Sequence, residues 1–261
     1  MMLHVIGAGA DGMACLVGSR GSRVLLDCGL PGSVLRTHLE TMEVDPLSID
    51  AVVLTHEHPG HARGLADHPF RTNVPVFASE MTCRLLEDPV NGIEAVRWHG
   101  VASGETIVVG SLELCGFPVP HDAIEPLGWM IGEVGGGLRL GVTGDAGHVT
   151  KGMFQNLLTA DRLLIHAKHD TAMVESDETV DRNAKMRLEN RHGHLSNDQA
   201  GELAARLAAR GRLAGVLPAH LDPVLNSPNR AAAAVREGLG AVGRPEIPVH
   251  CLRAGQVHHW E

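Results

Sequence analysis

Apolar residues in this chain fall mostly in short β-prone blocks separated by glycine, proline and charge, and only a few stretches carry the spacing of an amphipathic helix. Residues 2–27 read as strands, with Met13 to Val17 and Arg23 to Asp27 joined by a Gly-Ser-Arg-Gly-Ser turn. A helix is predicted near 32–42, ahead of Val52, Val53 and Leu54, a run that suits a buried strand. Residues 74–78 predict a strand and 79–87 a helix. A series of strands follows from about 94 to 143, with Gly135-Gly136-Gly137 turning between two of them. Further on, 151–158 predicts a helix, 162–166 a strand, and 179–190 a highly charged helix. Ser196-Asn197-Asp198-Gln199 fits a capping box for an Ala-rich helix reaching about Arg210. A strand (213–217), a helix (229–239) and a last strand (247–252) close the chain. The order gives two halves, each with a sheet inside and helices outside.

Composition narrows the class. With 261 residues and 44% hydrophobic positions, the chain is expected to form a single domain over 1–261 with ample core. No uninterrupted apolar stretch is long enough to span a membrane. The start of the chain lacks the basic-then-apolar pattern of a secretion signal. The cysteines at 15, 28, 83, 115 and 251 are odd in number and scattered, which predicts reduced thiols and a cytoplasmic setting. Acids outnumber bases 31 to 22, giving a net charge of −9 without any Lys/Arg run. Such a surface argues against extended nucleic-acid binding but permits gripping a strand end or a small anionic phosphodiester. Nothing in the sequence specifies an oligomeric state.

The candidate chemistry begins where the strand at Val52 to Leu54 ends. Thr-His-Glu-His-Pro-Gly-His places His56, His58 and His61 at i, i+2 and i+5. In extended chain His56 and His58 point to one side, and Pro59-Gly60 then turns the backbone so that His61 enters from another direction. Converging imidazoles at a buried strand end suit a divalent cation, which needs further nitrogen or oxygen ligands from distant segments. His121, Asp145 and His220 each follow an apolar run (Leu112 to Val119, Leu138 to Thr143, Leu213 to Leu217) and are the candidates.

This set resembles the metallo-β-lactamase-fold hydrolases, whose signature is Thr-His-x-His-x-Asp-His followed by an isolated His, an Asp and a last His. The resemblance runs from about Leu3 to about Leu239, and it is strongest to the YycJ-like (WalJ-like) branch of metal-dependent 5′-exonucleases. The segments that carry it are Val-Leu-Leu-Asp-Cys-Gly-Leu (24–30), Pro-His-Asp-Ala-Ile-Glu-Pro (120–126), His169-Asp170 and Gly-His-Leu-Ser-Asn (193–197). It implies an α/β (α+β) fold of four layers, the αββα sandwich. It also implies one or two divalent ions, zinc or manganese with iron also compatible, the first on His56, His58 and His121 and the second on His61, Asp145 and His220. Asp27 is then expected to orient a ligating imidazole.

The chain departs from the pattern at Gly60, where the family has Asp. In the family that Asp ligates the second metal and is a proton-donor candidate in phosphodiesterases. Loss of an outer-shell partner alone costs roughly 10–100-fold in metal affinity, and loss of a general acid roughly 10²–10⁴ in rate. Two further departures are Gly7 to Met13, which lacks the branch's serine hydroxyls, and His166-Ala167-Lys168, where the branch has Glu-Ser-Asn. The first of these also matches G-x-G-x-x-G after a strand, but Gly18 and Gly21 interrupt the helix a dinucleotide fold needs.

The expected activity is hydrolysis by a metal-bound hydroxide, with Asp145 bridging the ions and His194 or His169 protonating the leaving group. The expected substrate is a phosphodiester, either a nucleic-acid end or a small molecule. Two alternatives stay open: a mononuclear lactonase- or thioesterase-type hydrolase, and a degenerate paralogue that binds a metal or ligand without turnover.

Overall fold

The computed structural model describes residues 1–9, 12–94 and 96–251. One six-stranded sheet holds β1 (Met2–Gly9), β2 (Gly12–Ser19), β3 (Ser22–Leu26), β4 (Ala51–Val53), β5 (Val74–Ser79) and β6 (Val96–Val101), side by side in chain order. The other holds β7 (Thr106–Val109), β8 (Leu112–Pro118), β9 (Leu127–Glu133), β10 (Arg139–Val142), β11 (Arg162–His166) and β12 (Val216–Ala219), again in chain order. Both sheets begin antiparallel and finish parallel: β3 to β6 run together, as do β10 to β12.

The alternation of side chains along buried strands explains why the sheets stack face to face. In β2, Met13, Cys15 and Val17 enter one core while Ala14 and Leu16 enter another. In β4, Ala51 and Val53 point one way and Val52 the other. The first of these cores lies between the sheets and includes Leu114, Trp129, Ile131 and Leu164 of the second sheet. The outer face of the first sheet is covered by α1 (Gly32–Thr41), through Leu35 and Leu39, and by α3 (Glu80–Leu86), through Cys83 and Leu86. The outer face of the second is covered by α4 (Lys151–Leu157), α7 (Asn197–Arg210) and α8 (Pro228–Ala241), through Phe154, Leu203 and Val235 among others. Helix, sheet, sheet, helix is the αββα order expected, with apolar cores at all three junctions.

Local signals account for the helix boundaries. Ser196 and Gln199 form the reciprocal capping box at the start of α7. The charged segment at 179–190 starts its helix later than expected, as α6 (Arg182–Glu189), because Asp181 caps it and Asp177 holds Thr179 and Val180 in a preceding turn. Two short helices were not foreseen: α2 (Pro59–Ala62), inside the histidine motif, and α5 (Thr171–Ser176), capped by Asp170. The strand expected at 213–217 is displaced to Val216–Ala219, where β11 supplies partners from Leu163 to His166. The strand expected at 247–252 is reduced to a single bridge between Val249 and Val216, and Leu252 lies outside the described residues. Ala10 and Asp11 of the glycine-rich turn also lie outside them. Between β2 and β3 there is a tight hairpin pairing Ser19 with Ser22, so no dinucleotide-type helix follows the glycines. No described helix is long and apolar enough to cross a membrane.

Candidate metal centre

Polar residues lie at, or within three residues beyond, the ends of strands that share one edge of the two sheets. β3 leads into Asp27, β4 into Thr55 and His56, β8 into His121, β10 into Asp145 and β12 into His220, while β11 ends on His166 itself. Asp27 and His220 both adopt left-handed backbone, each with φ 58°. A non-glycine residue there costs about 1 kcal/mol or more, so the surrounding fold must enforce it.

The first sheet builds its half around Asp27. Its backbone N–H bonds Val53, and its carboxylate accepts from the Thr55 N–H (2.7 Å) and the Thr55 hydroxyl (3.0 Å). His61 Nδ1–H donates to the same carboxylate at 2.8 Å, which fixes the ring and turns Nε2 toward the centre. His58 is the N-cap of α2, with Pro59 at the first helical position, and this one turn carries His61 round to face His56. The second sheet anchors the motif from below: Trp129 Nε1–H donates to the Leu54 carbonyl (3.0 Å) and Leu127 N–H to the Thr55 carbonyl (2.8 Å).

Asp145 is the hub of the other half. Its Oδ2 lies 3.3 Å from His61 Nε2, 3.6 Å from His194 Nδ1, 3.8 Å from His121 Nε2, and 3.9 Å from both His56 Nε2 and His220 Nε2. Its Oδ1 accepts from His166 Nδ1–H at 2.7 Å. His121 Nδ1–H donates to the Gly193 carbonyl (2.9 Å), leaving Nε2 free for the cluster. His56 Nε2 and His121 Nε2 then both approach His58 Nδ1, at 3.1 and 3.2 Å.

Charge within the cluster is set by burial working against Asp145. Burial alone would push the Asp145 carboxyl up, but His220, His194, His61 and the hydrogen bond from His166 outweigh it and hold the group well below the usual carboxylate range. His56 and His220 are pushed far down, chiefly by burial, and His121 is lowered for the same reason. His61 goes the other way: burial opposes protonation, yet Asp27 and Asp145 raise it to about 9. His56, His121 and His220, kept neutral by burial around one carboxylate, are donors of the kind a divalent ion takes.

The six residues expected as ligands, His56, His58, His61, His121, Asp145 and His220, therefore lie together. Ligating atoms of His56, His58 and His121 fall within 4.8 Å of one another, and so do those of His56, His61 and Asp145. The nitrogen spacings around His58 match the edge of a tetrahedron with metal–nitrogen bonds of about 2.0–2.1 Å. His194 joins the cluster, its ring 4.9 Å from that of His121. His169 is placed behind it, buried beside His194 and lowered to about 4, first by burial and then by that neighbour. Sequence reasoning marked His166 and Lys168 only as a departure from the branch pattern and not as members of the cluster; Lys168 is half-buried, its ammonium lowered by burial although Asp145 and Asp222 favour its charge. The strand end at 166 was the available signal. Gly60 sits in the α2 turn with nothing within 4 Å of where a side chain would begin.

Two bacterial enzymes share this chain's sequence at modest identity. The exodeoxyribonuclease WalJ of Streptococcus pneumoniae (serotype 2, strain D39) is 26% identical over 204 residues, covering 77% of this chain and 75% of that protein. The exodeoxyribonuclease YycJ of Bacillus anthracis is 26% identical over 202 residues, with the same coverage of each. Among solved structures, the metallo-β-lactamase fold protein YhfI of Bacillus subtilis superposes with a TM-score of 0.72 at 16% identity, covering 100% of this chain and 99% of that one. Residues 22–220 match the family model described as the beta-lactamase superfamily domain, a span that takes in every strand-end residue of the centre from Asp27 to His220. The chain belongs to the beta-lactamase superfamily, in its metallo-β-lactamase fold.

Proposed function

We propose that the protein is a metal-dependent phosphodiesterase that acts on nucleic-acid ends or a small phosphodiester. The observation that carries this reading is the Asp145 carboxylate, with its Oδ2 no more than 3.9 Å from five imidazoles: His56, His121 and His220 just beyond strand ends of the two sheets, His61 in α2, and His194 from the α6–α7 loop. His56, His58 and His121 would hold one divalent ion, and His61, Asp145 and His220 a second; zinc and manganese suit such donors, and iron does too. A bound ion supplies Lewis acidity and a water acidified toward neutrality. The chain's own residues do the rest. His58, His121, Arg187 and His194 line a cleft of about 190 Å³ beside the cluster, and Arg187 reaches Asp122 at 2.7 Å across it. The guanidinium offers an anion a charged donor at the mouth. His194, half-buried next to Asp145, is the proton donor for the leaving group, and His169 packs behind it. The names of the WalJ and YycJ relatives support a DNA end as substrate, and the scattered free cysteines support a cytoplasmic setting.

The test is hydrolysis of 5′-phosphorylated single-stranded DNA and of bis(p-nitrophenyl) phosphate by protein stripped with chelator, then reloaded with manganese or zinc. Activity lost on stripping and restored by the ion is expected. Faster turnover of a lactone or thioester than of either phosphodiester would overturn the substrate class.

A pH dependence of metal binding follows from His61. In the metal-free protein this ring is protonated below about 9, between Asp27 and Asp145. A cation taking its Nε2 must displace a proton, so affinity rises with pH up to that value, by about tenfold per unit. Competition against a chelating dye at pH 7 and pH 8 reads this directly; equal affinities would show that His61 is not a ligand.

A further inference from the structure

His166 closes β11 and is 2% exposed, in a position that the ligand pattern of the sequence did not include. One ring nitrogen, Nδ1, donates to Asp145 Oδ1 at 2.7 Å. The other, Nε2, is buried with no hydrogen-bond partner among the described residues. Its ring stacks on that of His220 at 5.0 Å and lies 6.0 Å from that of His61. One ligating atom each from Asp145, His166 and His220 fall within 4.8 Å of one another. A buried polar atom left unsatisfied costs roughly 1–3 kcal/mol, so such atoms usually mark a missing partner. Across the centre, the turn carrying His58 and His61 contributes no ligating atom at Gly60, although a side chain there would have room.

We propose that His166 is itself a metal ligand, joining His61, Asp145 and His220 at the second divalent-cation position beside that of His56, His58 and His121. The inference rests on the metal-dependent reading above and assigns to this chain a donor outside its expected ligand set. An imidazole in place of a carboxylate would leave the second position less negatively charged and richer in nitrogen, a shift toward zinc over magnesium or manganese.

Two substitutions separate a ligand from a residue that merely holds Asp145. His166→Asn keeps an N–H near the place of Nδ1, and His166→Gln keeps one near Nε2; neither keeps an imidazole. Zinc per chain is measured by elemental analysis after dialysis at fixed free zinc, with circular dichroism to confirm folding. Two ions in the unsubstituted protein and one in both variants is expected, with the second-ion affinity lower by at least about 10–100-fold. Two ions in all three proteins would overturn the assignment while leaving the metal-dependent reading intact. One ion in the unsubstituted protein would overturn it too, leaving a mononuclear centre. Loss of both ions from a folded variant would mean that His166 acts only through Asp145. No zinc in any of them would sink the metal-dependent reading itself.

Discussion

On the proposed function, Asp145→Asn is expected to give a folded protein that hydrolyses phosphodiesters at least about 10³-fold more slowly, because several kcal/mol of Lewis-acid stabilisation would go with the ion it would anchor. The reason is positional as much as electrostatic. Oδ2 is the atom that His61, His194, His121, His56 and His220 all surround, and Oδ1 is the acceptor for His166. Asparagine preserves the shape and removes the charge; Asp27 is committed to His61 and Thr55, and Asp122, bound to Arg187, meets the cluster at His121, 3.3 Å away. Rates at saturating manganese, together with metal content, check this. A variant that keeps both its metal and a rate within tenfold of the parent would remove Asp145 from the centre of the mechanism.

Gly29→Ala is expected to damage the same site without touching a ligand. A Cβ at Gly29 would lie 1.8 Å from the Gly60 carbonyl oxygen and 2.4 Å from its carbon, both backbone atoms with no rotamer to escape into. The two segments must separate, which costs about 1–3 kcal/mol or more and lowers the melting temperature by several degrees. Because Gly60 lies in the α2 turn between His58 and His61, the separation also moves those rings, and a displacement near 1 Å can cost about 10²-fold in rate. The matched control is Gly60→Ala, whose Cβ meets nothing within 4 Å. It should be neutral or slightly stabilising, by about 0.4–1 kcal/mol for a helical glycine. Equal melting temperatures for the two variants would refute the close contact.

The histidine triplet was legible because spacing in an extended strand followed by Pro-Gly dictates where each ring goes. His121, Asp145 and His220 were legible because the ends of strands that run in one direction share an edge. His166 was missed by the same logic applied one residue short: as the last residue of β11 it reads as strand, and only the pairing of β11 with β10 and β12 brings it level with Asp145 and His220. The left-handed backbone at Asp27 and His220 has no sequence signal, since neither is a glycine and both conformations are imposed by neighbours. The displaced strand at Val216–Ala219 and the single bridge at Val249 reflect pairing partners rather than local preference, which a one-dimensional pattern does not encode.

Both sheets supply side chains to one centre, His56, His58 and His61 from the first and His121, Asp145 and His220 from the second. An ion held there would tie together chain segments that the unfolded polypeptide cannot gather at once. Free metal then becomes a variable of folding as well as of turnover: at a hundredfold excess over the dissociation constant it adds roughly 2.7 kcal/mol to stability. Withdrawing it multiplies the unfolded fraction by about a hundred, and that fraction is what proteases clear. Metal supply in the cell would thus register first in how much of this protein survives, before any change in how fast each surviving copy works.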